Sequence, residues 1–139
     1  MQTSDVRKRL QQTIERAKRG AAERRARNDA ASRDFNQFLD DVAVPLFKQI
    51  ANVLKIEGYS FTVFTPSGSV RLMSDKSGDD YIELALDTAG ESPRVMAHVS
   101  RSRGRRVVDE EKSIGAPETL SEEELFAFLL RELEPFVER

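Results

Sequence analysis

The chain contains no cysteine and no tryptophan, and His98 is its only histidine. The absence of cysteine excludes disulfides, thiolate nucleophiles and cysteine-ligated zinc or iron–sulfur sites. A single histidine excludes a metal site built from several histidines. A chain without thiols also fits a reducing compartment, and we therefore expect a cytoplasmic location.

Long apolar runs are also missing from the sequence. No unbroken apolar stretch approaches the roughly 20 residues that a membrane-spanning helix needs. The first ten residues, MQTSDVRKRL, carry basic residues without an apolar core after them, so the sequence predicts no secretion signal. We expect neither a membrane-spanning segment nor a membrane partner.

Motifs that carry catalysis or bind cofactors are absent as well. The stretch TPSGS lacks the lysine and the spacing of a phosphate-binding loop, and no dinucleotide fingerprint occurs. Asp75, Asp79 and Asp80 lack the ligand spacing of a calcium loop, so a polar hairpin turn is the favoured interpretation. His98 has no partnered nucleophile in its local sequence. The sequence therefore predicts no catalytic, cofactor-binding or metal-binding residues, and a protein that is not an enzyme.

Charge is abundant and unevenly distributed along the chain. Residues 1–33 hold ten Lys and Arg against four Asp and Glu, a balance of +6, and since the whole chain carries −2, the other residues carry −8. At 139 residues the chain is about one domain long. A basic arm beside an acidic body is typical of a segment that binds nucleic acid or the acidic surface of another subunit.

The basic segment has the composition of a helix. From residue 5 to residue 31 there is no proline and one glycine, and most positions are good helix formers. Apolar residues recur at helical spacing, but Ala21, Arg24 and Asn28 leave the middle of the stripe with little area to bury. We therefore expect firm docking only from about Asp34 onward.

This pattern divides the chain into two predicted parts. Residues 1–30 form a basic helical arm, which is either a coiled coil or a helix that depends on a partner. Residues 31–139 form a single α+β domain. Pro45 interrupts the helical pattern of the second part, so the sequence predicts a kink or a restart of the helix there.

The remaining helices have clear apolar faces. The face that follows Pro45 consists of Leu46, Phe47, Ile50, Val53 and Leu54, and Gly58 is a typical helix terminator. Near the C-terminus, Ser121 and Glu124 predict a capping box. The stripe predicted for that last helix consists of Leu125, Phe126, Leu129, Leu130 and Leu133.

Between these helices the apolar period changes from helical to alternating. YSFTVFTP, SVRLMS, YIELALDT and RVMAHV alternate, and Val107 and Val108 open a fifth, shorter run. The separators are rich in turn residues, and short turns join antiparallel neighbours. The sequence therefore predicts an α+β fold with an N-terminal helical arm and kinked helix, a four- to five-stranded antiparallel β-meander, and a C-terminal helix packed on one sheet face.

The stretch SRSRGRRVV gathers four arginines around a single glycine. Arg101, Arg103, Arg105 and Arg106 are candidate phosphate-binding residues at a hairpin tip, since the arginine fork matches phosphate oxygens. The acidic body, the pI near 5.6 and the scarcity of aromatic residues weaken that interpretation. A solvated turn, or a contact with an acidic protein surface, is favoured.

These patterns indicate a non-enzymatic protein–protein interaction or adaptor module. We expect it to form a homo-oligomer and to present its basic helical arm to a protein partner. The alternative is a nucleic-acid-binding accessory protein that uses the arm and the hairpin of Arg101–Arg106. The arm residues expected to bind the partner are Arg7, Arg9, Leu10, Ile14, Arg16, Arg19, Arg24 and Arg25.

Overall fold

The protein is described here by a computed structural model that covers residues 1–138. Two helices, five strands and a last helix follow one another, and this confirms the predicted α+β fold. The elements are α1 (Thr3–Phe38), a π-helical turn (Leu39–Ala43), α2 (Val44–Ile56), β1 (Phe61–Phe64), β2 (Ser69–Ser74), β3 (Tyr81–Asp87), β4 (Arg94–Arg103), β5 (Arg106–Gly115) and α3 (Glu122–Val137).

The first helix belongs to two compact units. Met1–Ala30 forms one unit, which we call the arm, and the chain from Ala31 onward forms the other, which we call the body. Burial along α1 begins at Ala31 and continues at Phe35 and Phe38. The arm residues are almost all exposed, so the helical state of the arm depends on local propensity and not on a buried face.

The join between α1 and α2 is a π-helical turn. The amide of Val44 donates to the carbonyl of Leu39, five residues earlier, and Pro45 follows as the second residue of α2. Proline has no amide hydrogen to donate and its ring clashes with the carbonyl four residues before it. A π turn is a common way to absorb such a break. The chain therefore passes through the π turn into α2, which begins at Val44, without a loop.

The five strands form one antiparallel meander in the order β1-β2-β3-β4-β5. Pairs such as Val70 with Leu84 and Ile82 with Val99 place the apolar residues of neighbouring strands side by side. Their shared face, the inner face, packs against buried side chains of α1, α2 and α3 in one core. The residues of the inner face are Val70, Leu72, Ile82, Leu84, Val95, Ala97 and Val99.

The capping box of α3 is present as the sequence predicts. The amide of Glu124 donates to Ser121 Oγ, and the amide of Ser121 donates to Glu124 Oε1. The predicted apolar stripe is only partly right, because Phe126 and Leu130 are exposed. The residues of α3 that are buried are Leu125, Phe128, Leu129, Leu133 and Phe136.

Neighbouring leucines of α3 provide a test of this packing. Leu129 is fully buried and Leu130 is 54% exposed. We expect Leu129→Ala to lower the free energy of unfolding by about 2–5 kcal/mol, because it removes a core side chain and leaves a cavity. Leu130→Ala is the matched control and should cost less than about 1 kcal/mol. Urea denaturation measures both values, provided that the slope of the unfolding free energy against urea concentration stays constant. Equal losses of unfolding free energy in the two variants would contradict the burial pattern.

Candidate interaction surfaces

The arm carries an exposed apolar stripe. Val6, Leu10 and Ile14 follow one another at a spacing of four residues, which places them on one side of a helix. Their side chains are 39%, 56% and 50% exposed. The arm residues predicted to bind a partner are all exposed as well: Arg7, Arg9, Leu10, Ile14, Arg16, Arg19, Arg24 and Arg25.

Arginines border this stripe on both sides. At 100° per residue, Arg7 lies about 60° from Leu10 on one side of the stripe, and Arg9 lies about 100° from it on the other. The carboxylate of Glu15 points to the opposite side of the helix by the same geometry. Within residues 1–138 no arm arginine forms an ion pair. The arm is therefore an amphipathic basic helix whose charges and apolar stripe are both available for contact.

The second candidate surface is the hairpin that joins β4 to β5. Gly104 has φ +64° and precedes Arg105, which has negative φ, as in a two-residue type II′ turn. The register places Arg103 directly opposite Arg106, and Arg101 lies two residues before Arg103 on the same face. Like charges in directly opposite positions destabilise a sheet pair.

Hydrogen bonds connect the β4–β5 hairpin to the turn that precedes β3. Asp80 is buried, and its Oδ1 accepts hydrogen bonds from the amide of Ser102 at 2.7 Å and from Ser102 Oγ at 3.0 Å. Ser100 Oγ donates to the carbonyl oxygen of Asp79 at 2.7 Å. The sequence indicated only a polar turn at Asp79 and Asp80. In the structure this turn fixes the strand that leads to the arginines.

The outer face of the sheet carries a line of polar and aromatic side chains. Arg71 forms an ion pair with Glu83 at 2.9 Å, and its guanidinium lies 4.2 Å from the ring centre of Tyr81. Tyr81 meets the ring of His98 edge-on at 5.4 Å, and His98 Nε2 contacts Asp109 Oδ1. His98 thus lies on the outer face, as its strand position predicts. These side chains contact one another along the outer surface of the sheet, as is typical of packing between surface residues.

Burial raises the pKa of Tyr81 above 10.0, and the positive charge of Arg71 opposes this effect. Among the charges that add to the shift are the nearby carboxylates of Asp109 and Glu83. The phenol therefore remains neutral over the physiological pH range. The ring of Tyr81 acts on this face as a packing group, in contact with Arg71 and His98.

A groove between α2 and α3 is the third candidate surface. It has a volume of about 490 Å³, and its exposed apolar walls include Val53 on α2 and Phe126 and Leu130 on α3. Glu122 and Glu123 line it as well. The sequence assigned Val53, Phe126 and Leu130 to apolar faces of the core. The structure leaves them at the surface, because each helix turns a different stripe towards the sheet.

Membrane-spanning and metal-binding features do not add a further surface. Over residues 1–138 no helix is both long and apolar enough to cross a membrane. In the same part of the chain, no cluster of three or more histidine, aspartate or glutamate side chains has the arrangement of a metal site.

Comparison with known proteins gives no match of the chain to a family model, to a curated protein or to a solved structure.

The contact between Arg71 and Tyr81 on the outer face predicts how the pKa of Tyr81 responds to substitution of the arginine. Because Arg71 lowers the pKa of Tyr81, Arg71→Met should raise it further, whereas Arg94→Met, at the start of β4, should leave it unchanged. Tyrosinate absorbance measures the value in a Tyr59→Phe background, in which Tyr81 is the only tyrosine. A pKa raised in the folded state favours folding below pH 10 and stops doing so as the pH rises through the folded value. A lower pKa in Arg71→Met would contradict this account.

Proposed function

We propose that this protein is a non-enzymatic protein–protein interaction module that self-associates and presents its basic helical arm to a protein partner. The observation that carries the proposal is the exposed stripe of Val6, Leu10 and Ile14 between flanking arginines. Helix-in-groove recognition uses apolar anchors at this spacing, and flanking charges select the partner.

Length strengthens this interpretation of the arm. The part of α1 that lies in the arm, residues 3–30, extends over about 42 Å and has almost no buried side chains. A helix without a buried face is only marginally stable in water, even when its composition is favourable. Docking of the apolar stripe into a partner removes it from water and stabilises the helix at the same time.

The perturbed pKa values of Lys112 and Tyr81 in the body also support a binding role. Strongly perturbed pKa values tend to cluster at catalytic sites. The pKa of Lys112 is raised mainly by its hydrogen bond to Glu132, in which Nζ lies 2.6 Å from Oε1. This pair joins β5 to α3, so it has a structural explanation, as does Tyr81 in the outer-face line.

Deletion of residues 1–27 tests the proposed role of the arm. The truncated chain should keep the thermal unfolding midpoint of the body within a few degrees, because the deleted residues are almost all exposed. It should lose binding to partners that the intact protein captures. Calorimetry and affinity capture measure these two effects. Loss of the folded body on truncation would make the arm a structural element and contradict the proposal.

A second candidate function is nucleic-acid binding, and it is favoured by one observation. Arg101, Arg103 and Arg106 share one face of the hairpin tip, and none of their side chains forms an ion pair within residues 1–138. Three guanidinium groups in this position match a phosphate backbone. The acidic charge of the body opposes such binding at close range, so the protein-partner proposal comes first.

Charge reversal distinguishes this candidate from a charged turn. If the hairpin grips phosphates, binding of short duplex or single-stranded nucleic acid should fall steeply with salt, and Arg103→Glu with Arg105→Glu should weaken it roughly tenfold or more. Lys55→Glu with Arg131→Glu, on α2 and α3, is the control, since it also reverses two exposed basic residues and so changes the net charge equally. Fluorescence anisotropy at low and near-physiological salt measures the affinity. Equal loss in both variants would indicate a general charge effect only.

A further inference from the structure

We propose that the groove between α2 and α3 is the docking site for the arm of a second copy of this chain. The inference rests on the proposed function, because it names the surface that the arm binds. Its basis is that the apolar stripe of the arm and the apolar walls of the groove are both exposed, and that their borders carry opposite charges.

The groove has the chemistry of a helix receptor. Val53 and Leu130 are 59% and 54% exposed, although both belong to helices whose other faces are packed in the core. Ile50 and Leu133 line the groove as well and are buried. A contiguous exposed apolar patch between two helices is a typical position for a docked partner helix.

The arm supplies a ligand of matching form. Val6, Leu10 and Ile14 lie along about two turns of a helix and so extend over roughly 12 Å, and the groove-lining residues of α3 from Phe126 to Leu133 extend over about 10 Å of that helix. Leucine and isoleucine side chains docked between Phe126 and Val53 would leave water together with the walls they touch. Burial of apolar area of this kind is the main favourable term in most protein association.

Charge favours a second copy over an acidic or neutral partner helix. Glu122 and Glu123 line the groove and are exposed, and α3 carries no basic residue in its first turn. Arg7 and Arg9 border the apolar stripe of the arm on its two sides. A basic helix therefore meets carboxylates at the groove, whereas an acidic helix would be repelled.

The hairpin tip is a poorer receptor for the arm. Arg103 and Arg106 would face the arginines of the arm, and like charges brought together in this way disfavour the contact. If each arm docks in the groove of the other copy, the exchange closes at two copies. The mass in solution reports whether the exchange is closed in this way.

Cysteine cross-linking tests the contact directly, because the native chain has no cysteine. A tagged full-length Leu10→Cys copy is mixed with an untagged Leu130→Cys copy under oxidised glutathione, and the mixed disulfide dimer is quantified by mass. We expect it to form at least about tenfold faster than with Val107→Cys, the control, which is similarly exposed on β5. A thiol pair joins efficiently only when the chains approach within a few ångström. Equal rates for the two pairs would overturn the inference.

Light scattering of the full-length protein separates the possible failures. If the wild type is an oligomer, Leu10→Asp and Leu130→Asp should each raise the dissociation constant roughly tenfold or more, because each places a charge in an apolar contact. Val107→Asp should leave it unchanged. If neither substitution changes the dissociation constant of the oligomer, the docking site is wrong and the self-association proposal stands. A monomeric wild type overturns the docking site and the self-association proposal together.

A charge exchange provides an independent readout. Arg7→Glu with Arg9→Glu, or Glu122→Arg with Glu123→Arg, should each weaken the oligomer, and a mixture of the two variants should recover the affinity. Circular dichroism melting controls for the helix start, because arginine in the first turn of α3 opposes the helix dipole. Recovery in the mixture supports the inference, and failure to recover between two folded variants overturns it.

Discussion

The inner face of the sheet is the constraint on which the body depends. Its apolar residues, such as Leu72 and Leu84, would face water if no helix covered them, and α2 and α3 pack on this one face together with the end of α1. Each helix gives the sheet the stripe that contains its most buried residues, such as Phe47 and Leu129. The remaining apolar residues of both helices then turn towards the gap between them. Two helices cover one face of the sheet, and their apolar surfaces are wider than the area that this packing buries. The apolar residues that stay exposed form the groove.

The surfaces that are left uncovered differ in chemistry. The groove is apolar with carboxylates at its border, the arm is apolar with arginines at its border, and the hairpin tip is basic. Salt weakens contacts between such charges, because the Debye length is about 8 Å at physiological ionic strength. In protein contacts of this kind, apolar area gives affinity and charges select the partner and its orientation. This division of labour is what a binding module requires, and it supports the proposal that the protein acts through contacts and not through catalysis.

Much of the fold could be predicted, because the signals are local. The capping box of Ser121 and Glu124, the alternation of the strands and the glycine at the β4–β5 turn each depend on neighbours a few residues away. The features that sequence reasoning missed are contacts over long separations. Asp80 holds Ser102, and Lys112 reaches Glu132, and neither pair leaves a pattern in the local sequence. Leu130 was expected to be part of the core stripe, since its spacing from Leu133 fits a buried face as well as an exposed one.

The sequence by itself determined the helices and strands, their arrangement as an antiparallel meander and the basic character of the arm, because periodicity, turn residues and charge are properties of short segments. Only the tertiary structure decided which apolar side chains of α2 and α3 are buried. That outcome depends on the angle at which each helix packs on the sheet. Many contacts between residues that are distant in the sequence together set this angle. The tertiary structure also decided that Arg103 faces Arg106, because a shift of one residue in strand register would have sent one of the two side chains to the other face.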